Sequence, residues 1–270
     1  MGMDRIMEKR ELALTEVRKI ELQMLIQVRD FCEEHHLQYF LHGGTLIGAL
    51  RHKGFIPWDD DIDISMPRVD YEVFLNSFPE NSNYRLLTPM MDNYYFAFSK
   101  LTAQKTYIEN SAEKTQYGVF LDIFPIDDVP DNRVQSYIFF IKASIYKKIL
   151  GHLNDKVMNP NYNFGKKLYW KILRSFNYKK ILTRFSRLTK QTNHHGGLCS
   201  TVTTGVQWFI VYKKSWFAAQ VPVFFEGEKF SAPIGYDAFL KKYFGNYMEL
   251  PPREKRVAHN YKYWIESENE

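Results

Sequence analysis

The sequence predicts a mixed α/β (α+β) fold: a largely antiparallel sheet covered by helices, with a basic helical insertion following it. Three observations predict this. Met7 to His36 repeats apolar side chains at helical spacing. Asp61-Ile62-Asp63-Ile64 alternates acid and apolar with the period of a strand. Three aromatic or β-branched segments then follow, each bounded by turn residues. With 45% apolar and 16% aromatic residues, a chain of 270 has ample material for a packed core, and wholesale disorder is excluded.

In chain order, Leu14, Val17, Leu25, Val28 and Phe31 form the apolar stripe of one helix over Met7–His36. Gln38–Leu41 reads as a short strand running into Gly43-Gly44, and Thr45–His52 as a helix that Thr45 can cap. Pro57 interrupts any regular element between Gly54 and Trp58. Ile62–Met66 is the aspartate-bearing strand; Pro67 ends it, and Val69–Phe78 is a helix burying Tyr71, Phe74 and Leu75. Tyr84–Thr88, Tyr94–Leu101 and Tyr117–Phe124 are the three extended segments. After Pro125 and Pro130 the texture changes to long basic-aromatic helices, about Arg133–Leu150 and Gly165–Lys190. Glu226–Trp264 contains a short helix near Tyr236–Phe244 and a Pro251-Pro252 turn. The expected division is a catalytic core over 1–130, a basic helical region facing membrane or acceptor over 131–225, and a segment over 226–270 that packs back on the core.

The net charge of +5 hides an asymmetry. Asn132–Phe225 holds 16 Lys or Arg and one acid, Asp155, while the remainder holds 20 basic and 30 acidic residues. Gly165–Lys190 carries nine basic residues and no acid, interleaved with Leu, Ile, Phe, Tyr and Trp. An interfacial helix on an anionic membrane has this composition, each basic residue contributing about 1 kcal/mol near the surface. The alternative is an amphipathic helix on the core with a solvated basic face. No recognised RNA or DNA module accompanies the charge, so no nucleic-acid partner is expected. There is no run of 18 apolar residues and no signal-peptide pattern, and two cysteines are too few for a disulfide framework. A cytoplasmic protein, peripheral on the inner face of the cell membrane, is the expectation.

The chemistry concentrates in His42–Ile64, HGGTLIGALRHKGFIPWDDDIDI. Gly43, Gly44 and Thr45 begin a helix whose backbone N–H groups can bind a phosphate, and Arg51 and Lys53 can add charge for a diphosphate. Asp61 and Asp63 share one face of a strand, with Asp59 in the same phase as an additional candidate ligand. Asp122 is the lone charge in the apolar strand Val119–Phe124, costly to bury unless a cation or hydrogen bonds compensate it. Pairing the two strands would bring Asp61, Asp63 and Asp122 to one point. Such a set suits Mg²⁺, or Mn²⁺, which takes oxygen ligands and leaves positions for water and phosphate. Asp122 can also accept a proton from an incoming hydroxyl. Lys100, a basic residue in an aromatic strand, either reaches the phosphates or snorkels to solvent.

His42–Ile64 together with GVFLDIFPID and the tail FEGEKFSAPIGYDAFLKKYFGNYMELPP resembles the LicD family, the phosphocholine transferases of bacterial surface glycans. The resemblance implies a nucleotidyltransferase-like fold for the core and metal-dependent transfer from CDP-choline to a sugar hydroxyl of a lipid-linked teichoic acid or similar glycan, releasing CMP. It places the family's paired acids on Asp61 and Asp63, its third acid on Asp122 and its glycine turn on Gly43 and Gly44. Gly245-Asn246-Tyr247 departs from the family's usual Gly-Asp-Tyr. Other readings are transfer of ribitol or glycerol phosphate, nucleotidyl transfer to a small molecule, and a silent scaffold for glycan assembly. Choline needs an aromatic cage, for which Trp58 and Trp208 are the candidates, and His259 can orient a phosphate.

Overall fold

A computed structural model describes residues 8–109, 112–190, 196–204, 209–256 and 261–267. The first half runs β1 (Glu8–Glu11), α1 (Leu14–Glu34), β2 (Phe40–Leu41), α2 (Gly43–Arg51), β3 (Ile62–Pro67), α3 (Arg68–Ser77), β4 (Tyr84–Leu87), β5 (Ser99–Ala103), β6 (Thr106–Ile108) and β7 (Phe120–Asp128). Three helices follow: α4 (Arg133–Asn154), α5 (Phe164–Arg174) and α6 (Tyr178–Lys190). The rest is β8 (Leu198–Ser200), β9 (Tyr212–Lys213), β10 (Gln220–Phe225), β11 (Glu228–Pro233), α7 (Tyr236–Phe244) and β12 (Tyr263–Ser267).

The main sheet has the order β2-β3-β7-β5-β4, in which β3 and β7 are parallel and the other neighbours antiparallel. Ile62, Ile64, Leu101, Leu121 and Ile123 are fully buried and give the central strands their apolar character. The expected mixed sheet is therefore present, with shifted limits. Regular pairing in the aromatic stretch starts at Ser99 and not at Tyr94, while β7 continues through Pro125 to Asp128. Pro125 lies past the last β5 partner, so its missing N–H leaves no bond to that strand unmade. The end of β7 turns to β8, and β8 to β9.

The first helix begins at Leu14, not Met7. Glu8–Glu11 is a strand paired with β12, which also pairs with β6 to make a second, three-stranded sheet. The helix start is fixed by Glu16, whose carboxylate accepts from the Ala13 amide at 2.9 Å and is forked by Arg10. Thr45 does not cap α2, whose first residue is Gly43. The basic stretch Gly165–Lys190 is two helices. Asn177 interrupts it by accepting from the Lys180 amide at 3.1 Å, an N-cap for α6.

Two apolar cores result. One unites the main sheet, α1, α2, α3, the β10–β11 hairpin and α7; the other lies among α4, α5 and α6 with Val129 and Val202. Ile181, Leu182 and Phe185 bury one side of α6 in that second core. Among the described residues no helix is long and apolar enough to cross a membrane.

Candidate active site

The glycine turn and the aspartate strand are stitched together through the backbone of Asp63. Its carbonyl accepts from the His42 amide at 2.9 Å, and its amide donates to Thr45 Oγ1 at 2.9 Å. Thr45 thus holds β3 and not its own helix. Gly43, at φ +50°, would bring a Cβ to 3.3 Å from Asp63 Oδ2, and a Cβ on Gly44 would lie 2.5 Å from Asp59 Oδ2. Gly43 is favoured by its positive φ, and a carboxylate crowds the start of α2 at both positions. That start carries the unsatisfied amides and positive dipole end of the helix.

Strand register sets the next layer. Asp63 is directly opposite Asp122, and Asp122 directly opposite Lys100, so three charged side chains form one row across β3, β7 and β5. Lys100 reaches neither solvent nor an open phosphate position. It is 3% exposed, and its Nζ lies 2.6 Å from Asp122 Oδ1. Four aromatic rings surround the ammonium, with centroids at 3.8 Å (Phe120), 4.7 Å (Tyr117), 5.0 Å (Phe96) and 5.3 Å (Phe98). Quadrupoles and carboxylate together replace the water this cation gives up.

Negative charge accumulates along this row. Burial pushes Asp63 well above the usual carboxylate range, and Asp61, Asp122 and Asp59 push it further, against the opposing pull of Lys100. Burial raises Asp122 to about 6, with Lys100 again opposing. An all-oxygen, electron-rich donor set of this kind suits a hard cation. Asp63 lies in β3 and Asp61 just before it, near enough for its charge to raise Asp63. Asp122 has Lys100 as its partner, and among the described residues no three His, Cys, Asp or Glu side chains form a ready metal cluster.

Arg51 and Lys53 lie at the other end of α2 from the glycines. The Arg51 guanidinium donates to the carbonyls of Tyr247 at 2.7 Å and Glu249 at 3.0 Å, bolting the helix to the C-terminal segment. Lys53, at φ +61°, gives its carbonyl to the Glu226 amide. Both are thus placed as braces, not beside the glycine turn. Trp58 is half-buried and already carries a cation, the Arg256 guanidinium 5.0 Å from its ring centroid. Trp208 and His259 lie outside the described residues.

Sequence reading missed two groups. Glu21 of α1 is fully buried with no hydrogen-bond partner for either oxygen, and burial, then Asp61 and Asp60, push it well above the usual range. Its signal was an acid inside the apolar stripe, four residues after Val17 and four before Leu25. Tyr243 of α7 is raised to about 12 by burial and by Asp63, which places the C-terminal segment at the site. His42, held to about 4 by burial, is a neutral imidazole packed between Phe124 and Phe239.

Comparison with known proteins identifies the family. Residues 36–155 match the family model described as LicD/FKTN/FKRP, nucleotidyltransferase domain. The lipopolysaccharide cholinephosphotransferase LicD of Haemophilus influenzae is 30% identical over 260 residues, covering 93% of this chain and 97% of that protein. An uncharacterised protein of Rickettsia typhi is 36% identical over 76 residues, 28% of this chain and 22% of its own length. A match of this extent along the whole chain, with its acids and glycines assembled at one sheet edge, makes the protein a member of the LicD family of phosphotransferases.

Proposed function

We propose that the protein transfers phosphocholine from CDP-choline to a sugar hydroxyl of a lipid-linked glycan precursor, such as a teichoic acid, and releases CMP. The observation that carries this reading is Asp63 beside Asp122 across β3 and β7, with the charge of Asp61 acting on both, against the glycine start of α2. Asp61 and Asp63 would hold Mg²⁺ or Mn²⁺, which when bound neutralises charge on phosphoryl oxygens. Amides at the start of α2 orient the diphosphate. The acceptor oxygen attacks the phosphorus that bears choline, and the bond from that phosphorus to the bridging oxygen breaks. CMP departs with that oxygen. Asp122, with a pKa of about 6, is suited to take the hydroxyl proton. The work is done in the cytoplasm, at the inner face of the cell membrane where lipid-linked acceptors are built; the acid-free basic stretch over Lys156–Phe225 supports that placement.

One observation favours a second donor class. The aromatic faces at Trp58 and around Lys100 already hold the protein's own cations, and a neutral polyol, ribitol or glycerol phosphate, needs no cage. A thermal-shift panel of CDP-choline, CDP-ribitol, CDP-glycerol and CTP with Mg²⁺ separates the donors, and product mass separates phospho-alcohol transfer from nucleotidyl transfer. CMP release with CDP-choline and a lipid-linked glycan is the expected result. No release with that donor and any such acceptor refutes the choline assignment.

A further inference from the structure

α4 is apolar on two opposite sides. Phe139, Phe140, Ala143, Leu150 and Leu153 enter the second core. Val134, Tyr137, Ile138, Ile141 and Ile145, stepping by three and four residues, form a second stripe about 180° away. That stripe is open to solvent: Val134 is 67% and Ile145 52% exposed. A helix apolar all round is ordinarily enclosed, and contiguous apolar patches of this kind mark contact surfaces. α5 packs beside α4 and buries only Leu173, leaving Phe164, 82% exposed, with Leu168 and Ile172 outward. Lys148 over the Tyr169 ring and His152 against the same ring join the two helices. Lys166, Lys167, Lys171 and Arg174 flank the α5 stripe, and no acid occurs between Lys156 and Phe225.

We infer that the joined α4 and α5 stripes are a docking face for an anionic lipid bilayer, with α4 as its main apolar contact. Charge selects this occupant. A second copy seated on the same face would oppose the α5 cations to their own kind, whereas anionic headgroups complement them. Aromatic side chains at Tyr137, Phe164 and Tyr169 suit the headgroup boundary. The structure also divides the basic stretch: α5 takes part, while α6 spends its apolar side in the core.

The inference rests on the membrane-peripheral placement proposed above, but not on the donor or the transfer, because docking is measured without substrate. The full chain is floated with vesicles of phosphatidylcholine, with and without phosphatidylglycerol, beside the triple variant Ile138→Gln, Ile141→Gln, Ile145→Gln. Gln preserves helix propensity at exposed positions, and an unchanged melting curve confirms the fold. The parent should bind the phosphatidylglycerol vesicles, and the triple variant should bind at least tenfold more weakly. CMP release in the presence of a soluble glycan fragment should be equal for both. A parent that floats with a variant that floats equally well overturns the α4 face and leaves the peripheral placement standing. A parent that floats with neither vesicle overturns both. A parent that is a dimer in solution, made monomeric by the triple change, makes the face a subunit interface and overturns the inference.

Discussion

Replacing Lys100 with Met removes the cation from a buried pair and tests the central row of the site. Burial raises Asp122 from the ordinary 3.8 to about 6 even with Lys100 pulling it down, which costs the fold about 3 kcal/mol at neutral pH. Because the folded value lies above the unfolded one, this cost is absent below about pH 4 and grows as pH rises. Without Lys100 the carboxyl stays protonated, and the cost at about pH 7.5 grows to about 5 kcal/mol. Loss of the four ring contacts adds about 1 kcal/mol. Lys100→Met should thus be about 3 kcal/mol less stable than the parent at about pH 7.5, the lower edge for breaking a buried pair. In a chain of this size that is about 6–12 °C in Tm. At about pH 5 both proteins fold with Asp122 protonated, and the deficit should shrink to about 1 kcal/mol. Urea titrations at both pH values read the difference directly. Adding Asp122→Asn should remove its pH dependence. A deficit equal at both pH values, or one that Asn leaves unchanged, refutes the pairing as the source.

Three further outcomes are expected. Asp63→Asn should reduce CMP release by about 10³-fold or more and abolish the thermal shift given by Mg²⁺, while raising Tm in its absence, since it relieves a buried carboxyl crowded by its own kind; retained turnover would count against the metal pair. Gly44→Ala obliges only the flexible Asp59 carboxylate to move, so stability should change by less than about 1 kcal/mol; if Mg²⁺ affinity falls with it, Asp59 is a ligand, and if not, Asp59 is a bystander. Glu21→Gln should stabilise the protein at neutral pH and flatten the fall in stability from about pH 4 upward, because the folded carboxyl titrates above its unfolded value; urea midpoints across that range are the check.

Much of the site was legible because its signals are local. The alternation at Asp61–Ile64 and the isolation of Asp122 name their own elements, and the parallel pairing of β3 with β7 brings them side by side. What the sequence hides depends on partners far along the chain. Glu8–Glu11 has the look of a helix start, and becomes a strand only because Tyr263–Ser267 lies alongside it. The fate of Lys100 is set by a residue 22 positions later and by rings from β7 and from the loops before β5 and β7. Arg51 and Trp58 looked available, and each is engaged by the C-terminal segment. The break at Ser175-Phe176-Asn177 is marked only by the Asn177 cap, inside an otherwise continuous run of basic charge.

The pairing of β1 with β12 has a practical consequence. Glu8 opposite Ser267 sets the first and last described strands side by side, about 5 Å apart. A short linker can therefore join Ser267 to Glu8, and new ends can be opened in the exposed segment between α4 and α5. Such a circular permutant would keep every residue of the acidic row in its native sheet. It would also place a tag or a surface anchor beside the α4–α5 face, so that substrate delivery and chemistry can be varied separately in one polypeptide.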